Sequence, residues 1–121
     1  MNVLRTLVGL SGLLVLVSAA AADPVIERVM NQGFKGDSSL VHKAAAGTAT
    51  TGELDRLTDL LRSLPNGSPP RGGNVQFQRR VDRITGLSRT LAGGDARALA
   101  PFRAAVDCKS CHESHRGDDT P

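Results

Sequence analysis

The chain has 121 residues, a length that fits one ordinary domain rather than two. It contains no Trp, no Tyr and only three Phe, so a core built from its own side chains is small, and a large apolar ligand would stabilise it. The formal net charge is only +3, and the arginines of residues 71–103 have no Tyr or Trp among them. We therefore expect no nucleic-acid partner, and read these arginines as a solvated helix face or a docking face for an acidic partner.

The first 22 residues have the pattern of an export signal. Met1–Arg5 carries a positive charge, Leu7–Val17 is apolar but too short to span a bilayer, and Ala20–Ala22 supplies the small residues of a cleavage site. The pattern predicts a cleaved signal over residues 1–22 and a mature domain over residues 23–121. The mature protein is expected to be periplasmic or otherwise exported, with no membrane span.

The mature chain reads as helix throughout, beginning at a capping Asp23 followed by Pro24. Glycines and short polar residues over 33–39 predict that this first helix either bends or breaks and restarts with Ser38 as its cap. Gly47 then ends it. The apolar positions of this helix are Val25, Ile26, Val29, Met30, Leu40, Val41, Ala44 and Ala45.

Three further helices are predicted after Gly47. Thr50 and Glu53 form a capping box for the second helix, which ends at a loop over residues 65–73. The third helix is expected over 74–91 and the fourth over 95–115, where Pro101 predicts a kink or a restart. The inward residues of the second and third helices are Leu54, Leu57, Leu60, Leu61, Leu64, Phe77, Val81, Ile84, Leu87 and Leu91. Four amphipathic helices with short connections predict an all-α protein, an antiparallel four-helix bundle.

The motif with chemical content is Cys108-Lys109-Ser110-Cys111-His112, a C-x-x-C-H sequence typical of covalent haem attachment. Residues three apart lie on one face of a helix, so both cysteines can form thioethers along one haem edge. The neighbouring His112 is then the axial iron ligand. The motif uses both cysteines of the protein, and the expected cofactor is one covalent haem c.

Two other uses of these cysteines were weighed. A disulfide between Cys108 and Cys111 is compatible with an oxidising compartment, but the βαβ context of a thioredoxin-like site is absent. A zinc site could recruit both cysteines with His112 and His115, but adjacent Cys111 and His112 suit a tetrahedral site badly.

The position of the motif near the C-terminus makes the chain resemble a class II cytochrome c, of the cytochrome c-prime superfamily. Two other stretches also resemble that family: residues 29–36, with the sequence MNQGF at the centre, and residues 69–73 together with the following Phe77. The resemblance covers nearly all of residues 24–116, although His115 stands where the family often has an aromatic residue. It implies a four-helix bundle with a single haem; some members form homodimers.

The resemblance also raises the question of a second axial ligand. Some relatives use a Met in the first helix, which makes Met30 the candidate here, with a plain core Met as the alternative. His42 is expected to be a solvated helix residue, and His115 a polar residue at the helix end or a contact to a propionate. Arg116 is a candidate for propionate contact or an ordinary cation at a helix C-terminus.

The function expected from these features is a single-haem electron carrier that exchanges electrons with redox partner proteins. The alternative is a five-coordinate, c-prime-like protein that binds nitric oxide or carbon monoxide on an open iron face. A haem peroxidase ranks last, because neither His42 nor His115 is placed to act as a distal acid–base group. We therefore expect a carrier rather than an enzyme.

Overall fold

A computed structural model describes Gly12 and residues 23–117, and the predicted export signal otherwise lies outside the described residues. The described chain is all-α, as expected, and contains no strand. Its α-helices are α1 (Pro24–Val29), α2 (Leu40–Ala46), α3 (Thr51–Ser63), α4 (Asn74–Ala92), α5 (Leu99–Ala105) and α6 (Cys108–His115). A π-helical turn (Met30–Phe34) continues α1, and 3₁₀ turns at Leu64–Asn66 and Ala96–Ala98 follow α3 and precede α5.

The beginning of α1 matches the sequence prediction, whereas the segment after it was not foreseen. Asp23 caps the helix by accepting hydrogen bonds from the Val25 and Ile26 amides at 2.9 and 3.2 Å. The chain then widens into the π-helical turn, in which the Lys35 amide donates to the Met30 carbonyl at 2.9 Å. Such turns are rare and are frequent at functional sites.

The first predicted helix breaks rather than bends, and it restarts one residue later than expected. Ser39, not Ser38, is the N-cap of α2 and accepts a hydrogen bond from the His42 amide at 3.3 Å. Ser39 is also the more buried of the two serines. Gly47 ends α2 in the left-handed conformation at φ 72°, as expected.

The two longest helices, α3 and α4, pack extensively against one another. α3 begins with the predicted capping box, in which Thr50 and Glu53 bond each other's backbone amides at 3.1 Å. Two hydroxyls lie inside the interface between α3 and α4, with Thr58 Oγ1 and Ser88 Oγ 2.7 Å apart. The buried hydrophobic core comprises Val29, Leu40, Val41, Ala44, Leu57, Leu61, Leu64, Phe77, Val81 and Phe102.

The fourth predicted helix is divided into α5 and α6. Pro101 lies in the first turn of α5, so it follows a restart and does not kink a continuous helix. The unforeseen break lies at Val106 and Asp107, where the backbone leaves the helical region and Asp107 caps α6. Within residues 23–117, no helix combines the length and the apolar character that crossing a membrane requires.

The loop over residues 67–73 joins the beginning of α1 to the end of α6. The Ser68 amide donates to Asp23 Oδ2 at 2.9 Å, and a Cβ on Gly67 would lie 2.7 Å from Ile26 Cγ1. At the other end of the loop, the Arg71 amide donates to the His115 carbonyl at 3.3 Å. The first and last helices therefore meet the same loop.

Candidate functional site

The C-x-x-C-H motif forms the beginning of α6. Asp107 caps this helix, with its carboxylate accepting from the Ser110 amide at 3.0 Å and its carbonyl from the Cys111 amide at 3.0 Å. The cap places Cys108 in the first turn and Cys111 one turn later. The motif therefore has the helical conformation that its spacing predicted.

Four residues of α6 share one face of the helix, because their spacing is i, i+3, i+4 and i+7. Cys108 and His112 are exposed, Cys111 is half-buried, and His115 is buried at 4% exposure. The rest of the fold therefore covers this face fully at His115, partly at Cys111 and least at Cys108 and His112. The open part carries two thiols and an imidazole, which is the donor set that covalent haem attachment requires.

Both cysteines are free thiols, so the disulfide alternative is not present in this structure. Burial raises the pKa of the Cys111 thiol, and the positive charge of nearby Arg80 only partly offsets that effect. Arg80 reaches the motif from α4 and donates from Nη2 to Ser110 Oγ at 3.2 Å. Among the described residues, no group of three or more His, Cys, Asp or Glu side chains is arranged to hold a metal ion.

His115 is buried, which the sequence reasoning missed when it placed a polar residue at the helix end. Its Nδ1 lies 3.1 Å from the Arg71 carbonyl, and its ring meets the ring of Phe77 edge-on at a centroid distance of 5.4 Å. Its Nε2 is buried and has no hydrogen-bond partner within the described part of the chain.

Two residues of the 67–73 loop complete the contact with α6. The Arg71 guanidinium donates to the Glu113 carbonyl, in addition to the backbone bond between Arg71 and His115. Gly72 has φ +75°, and a Cβ there would lie 2.7 Å from His115 Nδ1 and 2.8 Å from the Ser114 carbonyl oxygen. A Gly-Gly pair signals such a turn in sequence, but nothing local shows that the turn will meet His115.

The structure places the other candidate residues as follows. Met30 is half-buried at the beginning of the π-helical turn and packs against the core. His42 is exposed, and its Nδ1 lies 2.7 Å from Ser39 Oγ. Arg116 is the C-cap of α6, with its amide donating to the His112 carbonyl at 3.0 Å. No hydrogen bond between described residues joins Met30 or His42 to the motif.

Two clefts lie away from the motif. The larger, about 570 Å³, is polar and open, and it includes Lys35, Lys43, Glu53 and Arg56. The smaller, about 190 Å³, is apolar and lies beside Ala44, Leu54, Leu91 and Leu99. Neither cleft includes a residue of the C-x-x-C-H motif.

Comparison with known proteins yields no relative. No protein-family model matches the chain, and no curated protein or solved structure is significantly similar to it. The motif and the helix that carries it are therefore the features of the chain that indicate a function.

Proposed function

We propose that the protein is an exported class II c-type cytochrome that carries electrons through one covalently bound haem. The observation that carries the proposal is the open face of α6, where two free thiols one turn apart adjoin an exposed imidazole. In this proposal the Cys108 and Cys111 sulfurs bond to the two vinyl groups, with each thiol hydrogen going to the second vinyl carbon. His112 binds the iron, and the bound haem supplies a one-electron Fe(III)/Fe(II) couple.

The composition of the chain supports a haem at this place. A core with three Phe and no Trp or Tyr gains from a large apolar group, and half-buried Cys111 lies where that group would meet the fold. Within the described residues, α3 and α4 are single helices, and the pairs α1–α2 and α5–α6 are each divided by a break, which gives four helical units in chain order. We propose that they form the antiparallel four-helix bundle of the resemblance, over a domain of residues 23–121.

The remaining parts of the proposal concern ligation and partners. Met30 is the proposed second axial ligand, supported by its half-buried place in a π-helical turn. Arg116, the C-cap of the helix that bears His112, is proposed to contact a propionate. The proposed partners are redox proteins of the same exported compartment, and a homodimer is compatible with the resemblance.

Haem staining after denaturing electrophoresis, together with intact-mass measurement, tests the central proposal. The exported wild-type protein should retain haem colour and should weigh more than the mature chain by one haem. Cys108→Ala and Cys111→Ala should each leave at most one thioether, because each removes one of the two sulfurs.

Lys109→Ala is the matched control. Lys109 lies between the two cysteines on the same helix, and its 3.8 Å ion pair with Glu113 is exposed and contributes little. This variant should retain haem to the same extent as the wild type. A colourless wild-type protein would exclude the proposed function.

A further inference from the structure

The hydrogen bond between His115 and the Arg71 carbonyl identifies Nδ1 as the donor nitrogen of a buried imidazole. The Arg71 carbonyl can only accept, so the proton of the 3.1 Å contact lies on His115 Nδ1. A neutral ring then leaves Nε2 as an acceptor, and this atom is buried without a donor among the described residues. Burying Nε2 without a partner costs free energy. The contacts of Nδ1 and of the ring must therefore hold the His115 side chain in place.

α6 meets the rest of the fold in its middle, through Ser110 and half-buried Cys111, and at its C-terminal end, through buried His115. Among the helices α6 packs chiefly against α4, and Cys108 and His112 on its first turns are exposed. His115 is the one residue of the motif-bearing face that the fold buries. Arg80 holds the middle of this short helix through Ser110, whereas its last turn is held by Arg71, which bonds Glu113 and His115, and by the ring contact of His115 with Phe77.

We propose that His115 is a positioning residue for His112: its Nδ1–H bond to the Arg71 carbonyl fixes the last turn of α6 and hence the direction in which the iron-binding imidazole leaves the helix. This inference rests on the proposed function. His112 lies three residues before His115 on the same face, so a rotation of the last turn moves both side chains together. Gly72 contributes to the same arrangement, since the side chain of any larger residue there would displace the His115 ring.

Three substitutions of His115 separate the hydrogen bond from the space that the ring fills. In His115→Asn, the side-chain amide can donate from the place of Nδ1 and has no buried Nε2. His115→Phe keeps a ring against Phe77 but cannot donate to Arg71. His115→Gln keeps an amide, but one extra methylene carries it past the place of Nδ1, so it serves if the Phe variant does not accumulate.

The measurements are the electron paramagnetic resonance spectrum of the oxidised haem protein and the amide hydrogen exchange of residues 108–116. His115→Asn keeps the bond to Arg71 but loses the ring contact with Phe77, so it should keep the wild-type spectrum and exchange more slowly in α6 than the Phe and Gln variants do. His115→Phe and His115→Gln should give shifted or broadened signals and faster exchange in α6, because the helix end is no longer fixed. Gly72→Ala should disturb α6 from the loop side at least as much as His115→Phe does, since a Cβ there would lie 2.7 Å from His115 Nδ1 and 2.8 Å from the Ser114 carbonyl oxygen, on a backbone at φ +75°.

The outcomes distinguish this inference from the proposed function. If every variant attaches haem but the Phe and Gln spectra superimpose on that of the wild type, the positioning role is wrong and the cytochrome proposal stands. If the Asn variant changes as the Phe variant does, the hydrogen bond is not the element that positions His112. A wild-type protein without haem would overturn both proposals.

Discussion

Met30 lies half-buried at the beginning of the π-helical turn, where a thioether can serve as a core residue or as an iron ligand. Met30→Leu distinguishes these roles because it fills nearly the same volume without the sulfur. If Met30 ligates, the wild-type protein is low-spin, and the Leu variant should become high-spin, bind carbon monoxide and lose the charge-transfer band of Met–iron(III) coordination. Optical spectra of both oxidation states provide the measurement.

His42→Ala is the control for Met30→Leu, since His42 lies in the same part of the chain and is exposed, as expected of a solvated helix residue. Its spectrum should match that of the wild type. A wild-type protein that is already high-spin and takes up carbon monoxide would show that Met30 only packs. It would then favour the gas-binding alternative over electron transfer.

Local spacing predicts the conformation of the haem motif, but it does not predict the environment of its residues. The helical conformation of Cys108 and Cys111 follows from spacing alone. The burial of His115 does not, because Arg71 and Phe77 come from elements about 40 residues away. A histidine at a helix end is polar by type, and only the tertiary fold decides whether it faces solvent.

At the scale of secondary-structure elements, the beginning of α2 gives a direct comparison between two neighbouring serines. Ser39 caps the helix, whereas Ser38 is exposed and lies outside it. Ser39→Ala should destabilise the protein by about 1 kcal/mol through loss of the cap. For a domain of this size that corresponds to a fall of about 4–8 °C in the melting temperature.

Ser38→Ala, measured by the same thermal unfolding experiment, is the control and should change the melting temperature little. If Ser38→Ala lowered the melting temperature more than Ser39→Ala, the N-cap of α2 would be Ser38, as the sequence predicted. The two serines are adjacent and chemically identical, so local propensity cannot choose between them. Ser39 caps because its neighbours Leu40 and Val41 must face the core.

The other element boundaries show which sequence signals are enough to predict where a helix begins or ends. Asp23, Thr50 and Gly47 were predicted correctly because each acts on backbone groups within four residues. The π-helical turn was not predicted; Gly33 within it packs closely on α3, since a Cβ there would lie 3.3 Å from Leu60 Cδ1, and this contact is not visible in the local sequence. The break before α6 was not predicted, because no Gly or Pro marks it in the sequence. Asp107, which caps the new helix, is the local signal there.

At the scale of the whole molecule, the loop over residues 67–73 connects parts of the chain that are most distant in sequence. It bonds Asp23 at the beginning of α1 and His115 at the end of α6. The predicted antiparallel four-helix bundle would bring these two helix ends to the same end of the fold, and the shared loop is consistent with that placement. The sequence did not show what joins the two helix ends. Backbone amides of the 67–73 loop, which the sequence predicts only as a connection, form these hydrogen bonds.

The stability of the whole molecule should depend on pH through carboxylates at the beginnings of helices. Hydrogen bonding from Lys43, at 2.7 Å, and from the Thr50 amide holds the pKa of Glu53 below its ordinary value. The backbone amide of Ser68 and the guanidinium of Arg97 act in the same direction on the pKa values of Asp23 and Asp95, respectively. The unfolded chain therefore binds more protons than the folded chain as the pH falls below the ordinary range of these groups.

The sign of the pH dependence follows, and Glu53→Gln isolates one contribution. A glutamine keeps an acceptor for the Thr50 amide but removes the charge that Lys43 stabilises, so the variant should be less stable than the wild type at neutral pH. This difference should be complete above pH 4.5, the ordinary pKa of Glu, and should disappear as the pH falls through the lower pKa of the folded protein. Urea unfolding of the intact protein from pH 7 to pH 3 measures this difference in stability.

Asp55→Asn, at an exposed acid of the same helix, is the control and should give no such difference. A Glu53→Gln effect that is equally large at pH 3 and pH 7 would mean that the carboxylate acts through its shape and not through its charge.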